Sequence, residues 1–98
     1  MPGMLAIDTF LPRLGEVFRV RLDDGATLDL RLDRATAHGE PYVAGGRAPF
    51  AIEFTGPPQT ILPQRIYRLE HDELEALEIF LVPLAPDASG ARYEAVFN

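Results

Sequence analysis

Phe18, Val20 and Leu22 alternate with Arg19 and Arg21, and Leu28, Leu30 and Leu32 alternate with Asp29, Arg31 and Asp33. Alternation at period two marks antiparallel strands with one buried face. Both apolar sets must face the same side, and this constrains the turn between them. A two-residue Asp24-Gly25 turn would set Leu22 opposite Thr27 and put the leucines on opposite faces. A three-residue loop, Asp23-Asp24-Gly25, sets Val20 beside Leu28 and Phe18 beside Leu30. It also gives Gly25 the left-handed position of a bulged turn and puts Arg19 opposite Asp29 on the outer face. The three-residue loop is therefore expected.

The same pattern continues downstream. Phe50 to Thr55 alternates with Phe50, Ile52 and Phe54 inward, and Gly56-Pro57-Pro58 ends it. Gln64 to His71 reads as a fourth strand, with Tyr67, Leu69 and His71 on one face and Ile66, Arg68 and Glu70 on the other. Ala76 to Val82 is the fifth. Its two faces, Leu77, Ile79, Leu81 and Glu78, Phe80, Val82, are both largely apolar, so it is central or has one face against a partner. Pro83 is expected to end it. A helix over Asp72–Leu81 competes, because Glu, Leu and Ala favour helix, but Ile79-Phe80-Leu81-Val82 favours strand. Pro86 to Gly90 is a turn, and Ala91 to Phe97 is the last strand.

Ahead of the first strand, Leu5 to Gly15 reads as a lead-in with one helical turn, capped by Asp8 or Thr9 and stopped at Gly15. With Thr9 as cap, Pro12 falls in the first turn, where its missing N–H costs little. Phe10, Leu11 and Leu14 are expected to plug one end of the core. His38 to Pro49, with Gly39, Pro41, Gly45 and Gly46, is a loop. These elements predict a single mainly all-β domain over residues 1–98. It has about six antiparallel strands in a small barrel or sandwich and a short N-terminal helical turn. Phe18, Leu30, Ile52, Phe54 and Phe80 are expected to be buried.

Composition narrows the chemistry. The 98 residues are 47% hydrophobic and 24% charged, the balance of a globular domain. No apolar run approaches the roughly 20 residues that span a bilayer, and no signal peptide is apparent, so a cytoplasmic protein with no membrane role is expected. There is no cysteine, which excludes disulfides, thiol catalysis and thiolate metal sites. Acids outnumber bases 15 to 9 for a net charge of −6, which argues against binding nucleic acid through its phosphates. Every one of the basic residues is arginine.

Few residues suggest catalysis. His71-Asp72-Glu73, near Glu70, Glu75 and Glu78, could hold a divalent metal or act as an acid and base. A catalytic zinc site usually takes three protein ligands, often two of them histidine. The other histidine, His38, lies in the Gly-rich loop, and strand neighbours point to opposite faces. The stretch is read as a solvated turn, with no metal and no cofactor. Ser89 sits in a turn composition without the strand-to-helix setting of a nucleophile. Gly45-Gly46-Arg47 is not a phosphate loop, and Asp23 and Asp24 are explained by their turn. Gln64, Tyr67 and His71 form a candidate recognition strip, weighed against a core-edge tyrosine and a hydrogen-bonded histidine. The last strand carries Tyr93, Ala95 and Phe97 on one face and Val96 on the other. It could close against Val17–Leu22, sit inside the sheet, or stand at an edge that pairs with another chain. Glu78, Phe80, Val82, Tyr93 and Phe97 are therefore a candidate interface for a protein partner or for self-association.

Several spacings occur together. They are Phe10 with Leu14-Gly15 and Phe18; Phe50 with Phe54, Gly56 and Pro57; Pro63-Gln64 with Tyr67 and His71; Phe80-Leu81-Val82-Pro83; and Tyr93 to Phe97. In this set the chain resembles a family of small standalone bacterial domains of unknown function. Glu75 departs from the family's pattern, which often has a glycine a few residues after the histidine. The resemblance implies no activity. Relatives near phage-tail-like collar genes would imply an accessory or assembly role. The expectation is a non-enzymatic binding or assembly module. The alternative is a small enzyme or ligand carrier using Tyr67, His71 and a nearby carboxylate.

Overall fold

A computed structural model describes residues 5–40 and 48–97. Its six strands are β1 (Val17–Arg21), β2 (Thr27–Ala37), β3 (Phe50–Gly56), β4 (Arg65–His71), β5 (Leu74–Asp87) and β6 (Gly90–Phe97). They form a closed antiparallel barrel in the order β1-β2-β3-β6-β5-β4, with β4 pairing back onto β1. The β1–β2 hairpin has the expected three-residue loop: Val20 faces Leu28, Phe18 faces Leu30 and Arg19 faces Asp29. Gly25 takes φ +87°, and its N–H donates to the Leu22 carbonyl.

Alternation fills the interior. Phe18, Val20, Leu30, Leu32, Ile52, Phe54, Leu69, Ile79, Leu81 and Tyr93 are all fully or almost fully buried. A short helix, α1 (Ile7–Phe10), and a 3-10 turn (Leu11–Arg13) cover one end. Of Phe10, Leu11 and Leu14, Phe10 alone is buried in the core, its ring lying 5.9 Å from those of Phe50 and Phe97 and 6.3 Å from that of Phe18, with Leu5 and Ile7 packed against the same cluster. Leu11 and Leu14 are exposed, because a turn so short buries one side only. Ala6 is the helix cap, with no side-chain hydrogen bond, so neither Asp8 nor Thr9 serves that role.

Two expectations are corrected, the end of β5 and the burial of Phe80, and two open alternatives are decided. β5 does not stop at Pro83 but runs to Asp87. β4 begins opposite Leu81, so from Val82 onward β5 has β6 as its one ladder neighbour, and such an edge tolerates proline. The C-terminal strand is not an edge: β6 pairs with β3 and β5, and β1 closes on β4 instead. Phe80 points outward and is 48% exposed. No helix forms over Asp72–Leu81, which is turn and strand. The β4–β5 turn, Asp72–Glu73, needs no glycine, since no described non-glycine residue has positive φ. A register shift between Leu69 and His71 takes up the mismatch. Of the long loop, Pro41, Gly45, Gly46 and Arg47 lie outside the described residues. No helix is long and apolar enough to cross a membrane among the described residues.

Candidate functional site

Three places hold polar or exposed groups worth testing: the two barrel mouths and the outer face of β4, β5 and β6. At the first mouth, the antiparallel pairing of Arg19 with Glu70 carries Glu16 alongside the Asp72–Glu73 turn. His71 is 92% buried by side chain (8% exposed), its ring 4.7 Å from that of Phe18. Its Nδ1 accepts from the Glu73 backbone N–H at 3.1 Å, and its Nε2 lies 2.7 Å from Glu16 Oε1. The acceptor role of Nδ1 assigns the ring proton to Nε2, which donates to Glu16. Arg19 pairs with Asp72 at 2.8 Å on the rim. The cavity here is about 410 Å³, lined by Glu16, Val17, Arg19, His71, Asp72 and Glu73.

Ligand atoms of Glu16, His71 and Glu73 lie within 4.8 Å of one another, a spacing that suits a cation. The donor set does not. A metal-bound imidazole donates its second ring N–H to a carboxylate or carbonyl, whereas here the second nitrogen faces an N–H. The same bond leaves no imidazole lone pair free to take a proton from a substrate. His71 acts as a strut that ties Glu16 to the β4–β5 turn.

The opposite mouth is a cavity of about 330 Å³ lined by Leu22, Asp23, Asp24, Leu62, Pro63, Arg65 and Tyr67. Tyr67 is buried, and its hydroxyl donates to the Pro63 carbonyl at 2.6 Å. Burial pushes that phenol above its usual pKa, despite the opposing Arg65 charge. The Arg65 guanidinium stands 5.0 Å from the Tyr67 ring centre and reaches Asp23 at 3.1 Å and 3.3 Å. Its hydrogen bond holds the Asp23 carboxyl below the usual range. Behind it, Tyr93 Oη accepts from the Leu62 N–H at 3.0 Å and donates to the Thr60 carbonyl at 3.2 Å.

The expected recognition strip is therefore not a surface: Gln64 is exposed, but Tyr67 and His71 turn inward at opposite mouths. The expected interface also divides. Tyr93 is fully buried and Phe97 stacks on Phe50 at 4.6 Å, because alternate residues of an interior strand must fill the barrel. Glu78, Phe80 and Val82 do face outward. Phe80 is the direct cross-strand neighbour of Ile66, which is 58% exposed. Val96, at 54%, faces outward on β6, and Val82 lies opposite Glu94.

Ile66 and Val96 join this face through strand parity, which was legible. Glu16 joins His71 only through closure of β1 on β4, and no local signal announces that pairing.

Comparison with known proteins adds one finding. A family model described as a domain of unknown function, DUF6916, matches residues 5–97. The chain belongs to the DUF6916 family. The match spans the whole barrel and its N-terminal plug, so the DUF6916 domain and this fold coincide. No curated protein and no solved structure matches the chain.

Proposed function

We propose that the DUF6916 barrel is a non-enzymatic binding module that docks a protein partner on the outer face of β4, β5 and β6. The observation that carries this is the pair Ile66 and Phe80, adjacent across two strands and each about half exposed. Large apolar side chains grouped on a surface mark interaction sites more often than scattered ones do. Polar groups at both mouths favour the same reading, since the Tyr67 hydroxyl and both His71 ring nitrogens already have partners in the chain. An enzyme or carrier that uses Tyr67, His71 and a carboxylate is the weaker reading for that reason. The unpaired edge of β5 beyond Leu81 lies beside the patch, but Pro83 and Pro86 blunt it. Side-chain docking thus fits better than strand addition. The family resemblance suggests the setting, a partner related to a phage-tail-like collar or fibre protein.

The test is affinity capture from the native host with wild type, Phe80→Ser and Ile66→Asn, each verified as folded by circular dichroism. A partner retained by wild type and lost by both variants supports the proposal. Equal retention by all three overturns it.

A further inference from the structure

We infer that the partner docked on this face presents an apolar anchor flanked by arginine or lysine, and is not a second copy of this chain; the inference rests on the docking reading above. The apolar centre is Ile66 and Phe80, with Val82 beside them and Val96 on the next strand. Two carboxylates share the same outward set. Glu78 precedes Phe80 along β5 at strand spacing, and Glu94 stands directly across from Val82.

Each of these acids has an arginine of its own chain within reach, and each arginine is engaged elsewhere. Arg68, the cross-strand neighbour of Glu78, donates from Nε to Glu70 at 3.1 Å. Arg92, on the same strand face as Glu94, pairs with Glu53 and with Asp87, the latter at 3.4 Å. Among the described residues, Glu78 and Glu94 take part in no ion pair. Asp29 on β2 and Glu75 on β5 also take part in no ion pair among the described residues, so what sets Glu78 and Glu94 apart is their place beside the exposed apolar centre.

An interface that covers an unpaired carboxylate must supply a donor, because burying such a charge alone is costly. Complementary charge also raises the association rate and suppresses wrong partners. A second copy fails both requirements. A two-fold contact sets the same patch against itself, so Glu78 and Glu94 would meet an acid-rimmed face on a chain of net charge −6. An anchor flanked by arginine or lysine meets both, and arginine is enriched at interfaces.

The experiment is an NMR titration of the 15N-labelled protein with acetylated, amidated octapeptides. One alternates leucine and arginine, one leucine and glutamate, and one leucine and serine. The expected result is that the leucine–arginine peptide shifts the amides of Ile66, Phe80, Val82 and Val96. Its affinity should fall roughly two- to five-fold in Glu78→Gln and again in Glu94→Gln, and fall as salt rises. Phe80→Ser, confirmed as folded by its own spectrum, should abolish the shifts. Equal binding of the serine or glutamate peptide at this face overturns the basic-partner inference while the docking reading stands. So does a doubling of mass in light scattering that Phe80→Ser reverses. Shifts confined to other surfaces, or none with any peptide, remove both.

Discussion

Phe54 and Phe80 are the same residue on neighbouring parts of one barrel wall, and replacing each by alanine separates inside from outside. Phe54 sits on β3 between Leu32 of β2 and Tyr93 of β6, fully buried, with its ring edge-on to Phe18 at 5.6 Å. Truncating a buried phenylalanine typically costs about 3–5 kcal/mol, and the cost is highest where neighbours cannot collapse into the space. Closure restrains that collapse, because both flanking strands are themselves held by further strands. Against a usual domain stability of roughly 5–15 kcal/mol, the loss lowers the melting temperature by on the order of 20 °C for a domain of this size. Phe80 is half exposed and loses mainly its cross-strand contact with Ile66, for about 1 kcal/mol or less. Urea unfolding followed by far-UV circular dichroism measures both on one scale, with equal slopes confirming a common denatured state. Equal costs for the two variants, or a Phe54→Ala cost below about 1 kcal/mol, would refute the assignment of faces.

Four further outcomes are expected. Gly90→Ala should cost about 2–3 kcal/mol or more in the same assay, because Gly90 has φ +139° and a Cβ there would lie 2.4 Å from the Gly56 carbonyl oxygen. Gly25→Ala, at φ +87° with open space around it, should cost only about 1 kcal/mol. Burial raises the Asp33 pKa, but hydrogen bonds from Arg31 and Thr55 and the charges of Arg31 and Arg92 outweigh it and leave it below 3.8. Its contribution is therefore complete above the unfolded value and lost as pH falls through the folded one, so Asp33→Asn should flatten the acid limb of the urea midpoint below pH 3.8; an unchanged limb would count against it. Zinc, manganese or calcium should leave the melting temperature unmoved, and a saturable rise that disappears in His71→Ala would overturn the proton assignment at that ring.

The β1–β2 hairpin was legible because everything that determines it is local: two alternating runs, one shared face and one glycine at the turn. The outward set Glu78, Phe80, Val82 was legible for the same reason, although the burial expected of Phe80 put apolarity ahead of parity. What failed depended on distant parts of the chain. Pro83 reads as a stop only where both ladder neighbours continue, and the end of β4 at Arg65 removes one of them. The place of β6 between β3 and β5 follows from strand order, which periodicity does not encode. Leu11 and Leu14 look like core residues by composition, but the turn that carries them presents a single face to the barrel. The His71 strut was half legible: its burial beside Tyr67 and Leu69 follows from parity, while its carboxylate partner, Glu16, comes from β1.

Closure also decides how this barrel can associate. A terminal strand at an edge would have offered main-chain groups along its whole length to an extended partner, but β6 pairs with β3 over residues 91–97 and with β5 over residues 90–94, which takes up most of them. Side chains are the other route to association, and the outer wall is not uniform in what it offers. On β1, β2 and β3 several outward groups are engaged, although Val17 is exposed and Asp29 takes part in no ion pair among the described residues: Arg21 holds Glu70 of β4 at 2.8 Å, Arg31 holds Asp33 at 2.7 Å, and Thr55 donates to Asp33. Across β4, β5 and β6 the outward residues at Ile66, Phe80 and Val96 find no such closure, and the acids beside them have no arginine. The apolar groups contribute at most a cross-strand contact of about 1 kcal/mol to the barrel that carries them. Lysine or threonine at Phe80 would leave the interior of β5 unchanged, since Ile79 and Leu81 supply the packing. An exposed apolar face that the packing of the barrel does not require fits the docking proposed for it.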